Sequence, residues 1–252
     1  MIPLSRSFRY GKFVRSVVFL FGWTIILQGC GGGGSSSPEK EDPDLLFEEN
    51  FTYTADGAIP VGWSVITHTA ATIDGPALWR VKSRMLRQSS NVHAPASSGF
   101  PYAANYEGTM AVVGESDWMN IALDVKLIPH DDDGIGVVFR WQPSTVGSDG
   151  NFYRFLIVSD QDSGGPKARV DKHVDGVWSI LVEDASTTYD YREGNTYRVE
   201  VSMVLDEFTI KLNGSTIFTF TDNSLTYGKV GLFCFAEEGA DFDDIKVYRR
   251  GP

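Results

Sequence analysis

The sequence predicts an all-β fold, a two-sheet antiparallel β-sandwich, over residues 45–250. Three observations carry this. Apolar and polar residues alternate in short runs, the runs are separated by hairpin turn chemistry, and no stretch sustains the i, i+3, i+4, i+7 spacing of an amphipathic helix. With 252 residues, 42% of them hydrophobic and 13% aromatic, the chain can bury a substantial core. Its 26 glycines and 11 prolines suit a chain of many turns.

The first element is a leader. Arg6, Arg9, Lys12 and Arg15 precede an apolar run over 17–27, too short to span a bilayer as a helix and of the size of a signal-peptide core. The run ends in Leu27-Gln28-Gly29-Cys30, which resembles the lipobox of bacterial lipoproteins. That resemblance implies removal of residues 1–29 and acylation of Cys30, with the acyl chains anchoring the protein in a membrane. Gly31 after the cysteine, rather than Asp, resembles the pattern that sorts such proteins to the outer membrane. Gly31 to Gly34 and Ser35 to Ser37 read as a flexible spacer, and the charged, Pro-bearing stretch to Asp44 completes a tether over 30–44.

The leader holds four of the 22 basic residues and no acid, leaving 18 basic against 33 acidic residues in the remainder. A field of that sign repels phosphate backbones, so nucleic acid is excluded as a partner, and an anionic polysaccharide would need a bridging metal ion.

Strand patterns then follow in succession: 119–127, 134–142, 152–159, 168–174, 177–183, 197–205, 208–212, 216–221, 229–236 and 242–248. Tyr197-Arg198-Val199-Glu200-Val201-Ser202-Met203 shows the alternation plainly, one apolar face and one wet face. Asp175-Gly176 and Asn213-Gly214 read as two-residue hairpin turns, with Asp206-Glu207 a third tight connection. Cys234, amid Gly231-Leu232-Phe233 and Phe235, reads as a small buried hydrophobe.

Particular strings are similar to a known family. Phe47-Glu48-Glu49-Asn50-Phe51 and Pro60-Val61-Gly62-Trp63 resemble the opening of concanavalin A-like jelly-roll domains of the laminin-G type, as do Trp79-Arg80-Val81 and Gly108-Thr109-Met110-Ala111-Val112. Asp131 through Gln142, with Asn151-Phe152-Tyr153-Arg154-Phe155, is similar to the lectin-like C-terminal domain of thrombospondins. The resemblance covers nearly all of 45–250 and implies a jelly roll, an architecture that hosts binding modules, glycosidases and lyases alike.

Catalytic signatures are absent. A glycosidase needs two carboxyls in one cleft, yet no Glu-x-Asp-x-x-Glu strand occurs, nor a Gln-x-His strand, nor a Gly-x-Ser-x-Gly elbow. His68, His93, His130 and His173 lack metal-ligand spacing. No organic cofactor is expected. Calcium is: Asp131-Asp132-Asp133 packs three carboxylates into one turn, where a divalent ion would relieve their repulsion. Asp243 shares strand parity with Ile245 and Val247, so it should point inward. In related sandwiches the first and last strands are neighbours, and acids there hold a structural calcium; Glu49, Asn50 and Asp243 match those positions.

For a ligand, sugar rings present apolar C–H faces that stack on Trp and Tyr, with a few polar groups fixing orientation. Trp141 and Tyr153 lie on strands beside Arg140 and Arg154, and within each adjacent pair the two side chains must face opposite ways. Trp178 follows the Asp175-Gly176 turn, and the long irregular stretch 89–107, with Asn91, His93, Tyr102 and Tyr106, is of the kind that carries specificity. Arg140, Trp141, Tyr153, Arg154 and Trp178 are therefore the candidate ligand contacts. The expected function is non-catalytic carbohydrate binding on a lipid anchor; a glycosidase or related sugar-processing hydrolase, and an adhesion module with a protein partner, remain open beside it.

Overall fold

The computed structural model describes residues 44–95 and 105–251. The expected leader with its lipobox-like Cys30, nearly all of the expected tether, and Tyr102 lie outside the described residues. Among the described residues fifteen strands run in chain order: β1 (Leu45–Glu49), β2 (Ser64–Thr67), β3 (Trp79–Lys82), β4 (Met85–Gln88), β5 (Thr109–Val113), β6 (Ile121–Pro129), β7 (Gly134–Gln142), β8 (Asn151–Val158), β9 (Lys167–Val174), β10 (Val177–Ala185), β11 (Tyr197–Val204), β12 (Glu207–Leu212), β13 (Ser215–Thr221), β14 (Lys229–Phe235) and β15 (Ala240–Arg249). They form two antiparallel sheets: an eight-stranded one ordered β13-β12-β11-β6-β15-β4-β3, with β1 also on β15, and a seven-stranded one ordered β10-β9-β8-β7-β14-β5-β2. The all-β sandwich expected from the alternation is therefore the fold.

Alternation decides which side chains enter the core. On β8, Tyr153, Phe155 and Ile157 join the main core between the sheets, where Val199, Val201 and Met203 of β11 face them. Phe152, Leu156 and Val158 turn to the other face of the seven-stranded sheet and pack in a second apolar cluster with Phe233, Phe235 and Tyr106. That part of the outer face is buried because the chain covers it, whereas Trp141 and Trp178 on the same face stay partly exposed. His68 exchanges two bonds with Gly108 (His68 N–H to Gly108 O, 2.9 Å; Gly108 N–H to His68 Nδ1, 3.1 Å), Ala94 N–H bonds Glu107 O at 3.0 Å, and Ala236 N–H bonds Val92 O at 3.1 Å.

The hairpins follow the turn chemistry at Asp175-Gly176 and Asn213-Gly214, whose residues take positive φ. The third turn is shifted from expectation by one residue. Leu205 and Asp206 form it, with Leu205 at φ 55°, and Glu207 already belongs to β12.

Bulges overturn one expectation about parity. On β15 the register shifts between Asp243 and Lys246, and Asp244 takes φ 49°. One extra residue moves every side chain on one side of it to the opposite face. Phe242 is buried in the core together with Ile245 and Val247, so Asp243 faces outward, partly exposed, 3.4 Å from Lys126.

Candidate functional site

A polar group is buried within the apolar outer face of the seven-stranded sheet. Strand β9 places Arg169, Asp171 and His173 on that face through alternation, and β8 places Arg154 beside them, opposite Asp171 in register. Arg154 is 0% exposed and Asp171 0%. Arg154 Nε donates to Asp171 Oδ1 at 3.1 Å and Nη2 to Oδ2 at 2.6 Å. Its remaining donors reach the covering segment, Nη1 to Tyr106 O and Nη2 to Asn105 O, both at 2.7 Å. Arg169 Nε adds a second cation 2.9 Å from Asp171 Oδ2. Burial pulls Arg154 below its usual guanidinium value, while Asp171 works against that pull. A buried charge is tolerated only when paired and hydrogen-bonded, and here the pairing with Asp171 leaves two guanidinium donors of Arg154 to clamp residues 105–106 onto the sheet.

Aromatic rings enclose this clamp. The Arg154 guanidinium lies 4.4 Å from the ring centroids of both Trp178 and Phe233. His68 stacks on Phe152 at 5.6 Å and meets the edge of Trp178 at 5.4 Å. His173 donates from Nδ1 to Gly150 O at 2.7 Å and packs against Trp178 at 4.8 Å. Burial, then the charge of Arg154, hold His68 well below the usual histidine value; its Nε2 is buried without a hydrogen-bond partner.

Trp178 is the member of this group that reaches solvent. It is partly exposed at the edge strand β10, its indole N–H donates to Glu107 Oε1 at 3.2 Å, and its strand neighbour Ile180 is 55% exposed. The result is an aromatic platform fixed from beneath by a cation and at its edge by a carboxylate.

The five candidate ligand contacts therefore divide. Trp178 and Arg154 come together on the outer face. Trp141 is on that face too, partly buried, its indole N–H spent on Asp149 O at 3.1 Å. Arg140 and Tyr153 face the opposite way, into the sandwich, which corrects their assignment as ligand contacts: both are at most 1% exposed. Arg140 donates to Leu225 O at 2.7 Å and to Leu205 O at 2.6 Å, and Tyr153 OH donates to Asp222 Oδ1 at 2.5 Å. A shift in the β7–β8 register after Phe139, with Arg140 at φ 52°, marks the place where this end of the strand departs from regular pairing. Asp171, Glu107 and His68 were not singled out from the sequence. Asp171 carried a signal in the alternating charges Arg169, Asp171 and His173, and Glu107 closes the irregular stretch 89–107 expected to carry specificity; His68, in irregular chain, carried none.

The acidic positions also separate. Asp131, Asp132 and Asp133 bring carboxylate oxygens within 4.8 Å of one another. Glu237, 0% exposed, anchors their loop by accepting from the amides of His130 at 2.8 Å and Asp131 at 2.9 Å and from Tyr191 OH at 3.1 Å. Burial, reinforced by Asp131 and Asp160, pushes Asp133 up to about 7. At the first and last strands, Glu49 Oε1 is taken by the Phe51 amide at 2.7 Å and Asn50 Oδ1 by the Thr52 amide at 3.2 Å, while Asp243 keeps one buried oxygen without a hydrogen-bond partner.

No family model matches the chain, and no curated protein matches its sequence. Solved structures do. A carbohydrate-binding module of the CBM66 type from Bacillus subtilis aligns at TM-score 0.55 and 13% identity over 74% of this chain and 95% of its own. A Bacillus subtilis protein of unknown function with a galectin-like fold aligns at 0.58 and 13% identity over 83% and 97%. A Bacillus licheniformis β-glucanase aligns at 0.52 and 11% identity over 84% and 100%. The fold is thus that of the galectin-like and concanavalin A-like jelly rolls.

Proposed function

We propose that this chain is a non-catalytic carbohydrate-binding domain carried on a lipid-anchored tether, and that the outer face of the seven-stranded sheet, at Trp178, is its ligand platform. The single observation that supports this most is Trp178 itself. A partly exposed indole, immobilised by the Arg154 cation at 4.4 Å and the Glu107 carboxylate at 3.2 Å, is preorganised to stack on the apolar face of a sugar ring. Ile180 extends the apolar surface, and Glu107 offers an acceptor to a hydroxyl at the ring edge.

Hydrolysis is the less supported use of this face. Glycoside cleavage needs one carboxyl to protonate the leaving oxygen and a second to attack or activate water. Of the two carboxylates described at the platform, Asp171 is 0% exposed between two guanidiniums and Glu107 is engaged by the Trp178 indole. That chemistry suits holding a sugar better than breaking one.

The anchor belongs to the same proposal and rests on the residues of the leader, with Cys30 as the acylated position, outer-membrane display as its consequence, and metabolic labelling with a palmitate analogue as its check. So does a structural calcium, for which the Asp131–Asp133 carboxylates supply converging hard oxygen ligands; a melting temperature unmoved by chelator would remove it.

A glycan-array screen followed by calorimetry tests the platform. Trp178→Ala is expected to weaken binding at least about tenfold, the scale of a hot-spot aromatic. Unchanged affinity in that variant, silence across the array, or release of reducing sugar from a bound glycan each sinks the reading.

A further inference from the structure

Arg140 is a buried charged side chain that the platform does not use. It is 1% exposed, burial lowers it from the usual guanidinium value, and among the described residues it has no ion-pair partner. Its two Nη groups go instead to backbone carbonyls, while Nε is buried without a partner: Leu205 O at 2.6 Å in the β11–β12 turn, Leu225 O at 2.7 Å in the β13–β14 loop, and at longer range Met119 O at 3.5 Å in the β5–β6 loop. One buried cation thus fastens three loops from beneath. Tyr153 reinforces one of them, accepting from Leu225 N–H at 3.0 Å and donating to Asp222, and Lys172 grips the same loop through Asp222 at 2.5 Å and Ser224 Oγ at 2.7 Å.

Those three loops enclose a pocket of about 240 Å³, lined by Met119, Asn120, Leu205, Asp206, Asn223 and Thr226. Its floor is apolar: Met119 is 52% exposed and Leu205 60%. Leu205 is held at φ 55°, an uncommon conformation for a bulky residue, by its amide on Asn120 Oδ1 at 2.8 Å and its carbonyl on Arg140. The rim is polar and uncommitted: among the described residues the side chains of Asp206, Asn223 and Thr226 make no hydrogen bond, and Asn120 keeps its amide N–H groups free. Left-handed backbone, a buried cation and three anchored loops fix a small cup whose polar lining side chains, Asn120 Oδ1 apart, are not committed to the rest of the described chain.

We infer that this cup is a second glycan subsite that takes one terminal ring of a neutral or amino sugar. The volume is below the roughly 300–1,000 Å³ of sites for drug-sized ligands, which limits the occupant to about one ring. The apolar floor meets a C–H face, while Asp206 accepts, and Asn223 and Thr226 donate or accept, at the hydroxyl edge. Asp206 on the rim, with no ion-pair partner among the described residues, disfavours a uronate or sulfated ring. The class of ligand rests on the carbohydrate-binding reading above; the position of the cup, at the loops rather than on the sheet face, does not.

Backbone-amide NMR on the full chain in mild detergent, titrated with methyl glycosides of glucose, galactose, mannose and N-acetylglucosamine, distinguishes the two. The expected result is saturable shifts at the amides of 205–206 and 223–226, abolished in Asp206→Ala/Asn223→Ala and retained in Trp178→Ala. The double variant should melt with the wild type, since both side chains are exposed and bond nothing. Shifts confined to residues around Trp178 and Glu107 overturn the second subsite and leave the platform standing. Shifts confined to the cup support the subsite and count against the platform. Shifts in neither region overturn both.

Discussion

Arg140 and Arg154 sit on neighbouring strands of one sheet, both essentially without exposure, and the protein uses them in opposite ways. Arg154 faces out of the sandwich into a layer of its own chain, neutralised by Asp171 in a two-point ion pair and sandwiched between aromatic rings. Arg140 faces in, has no carboxylate in ion-pair contact among the described residues, and spreads its charge over loop carbonyls and the ring of Phe208 at 4.7 Å. The difference teaches that a buried guanidinium can be fixed by charge or by dipoles. Charge gives a clamp whose loss strands the partner. Dipoles give a spider that positions several loops at once.

The largest effect should come from breaking the clamp. Arg154→Leu leaves Asp171 buried with only Arg169 beside it and frees the carbonyls of Asn105 and Tyr106, for a loss of about 3–5 kcal/mol in denaturant unfolding. Replacing the pair together, Arg154→Met with Asp171→Leu, should recover most of that loss, because an apolar pair of similar volume leaves no uncompensated charge. A double variant as unstable as the single one would show that the carbonyl contacts, and not the ion pair, hold the segment.

Arg140→Met comes next, at about 2 kcal/mol, since it strands two carbonyls but no opposite charge. Its sharper signature is local: hydrogen exchange should accelerate at 205–206 and 222–226 and leave 105–108 unchanged, the reverse of the Arg154 variant. Tyr153→Phe should cost less, about 1–2 kcal/mol, because the Leu225 amide loses a buried acceptor while Asp222 keeps Lys172. Identical exchange patterns in the two arginine variants would erase the distinction between clamp and spider.

How far the sequence foretells this is uneven. The ten clearest strand patterns and two of the hairpins are legible because period-2 alternation and Asp-Gly or Asn-Gly turns act locally. That Arg140-Trp141 and Tyr153-Arg154 must split between faces is legible too. Which member goes which way is not, because parity counts only from a known reference, and bulges such as the one at Asp244 reset the count, as Asp243 shows. The platform is half legible: Trp178 and Arg154 stand out as an aromatic and a charge in strand context, whereas His68 and Glu107 reach it from irregular segments whose placement depends on long-range contact. The cup is not legible at all. Met119, Leu205, Asn223 and Thr226 come from three loops, and nothing in their local sequence marks a shared destination.

The smallest expected effect separates the two regions by pH. His68 stays neutral in the folded protein below its usual value, through burial and then the charge of Arg154, whereas in the unfolded chain it protonates near 6.5. A folded-state value that is depressed means stability is fully present above 6.5 and is lost as pH falls below it, by about 1 kcal/mol at pH 6. Asp133 runs the other way: pushed up to about 7 by burial, it gives stability that is present at low pH and lost as pH rises from about 4 to 7. The wild-type profile alone mixes the two, so the informative quantity is the difference from His68→Gln, which keeps an acceptor for the Gly108 amide and removes the titration. That difference should grow as pH falls from 7 to 5.5, accompanied by faster exchange at 105–108. The cup should not respond, because burial notwithstanding, hydrogen bonds from Lys172, Tyr153 and Ser224 hold Asp222 down to about 2, and burial pushes Tyr153 up, far from the range tested. Parallel profiles for wild type and His68→Gln would mean that the histidine beside the clamp does not feel its charge, and exchange rising at 205–206 and 222–226 instead would place the acid-sensitive element under the wrong arginine.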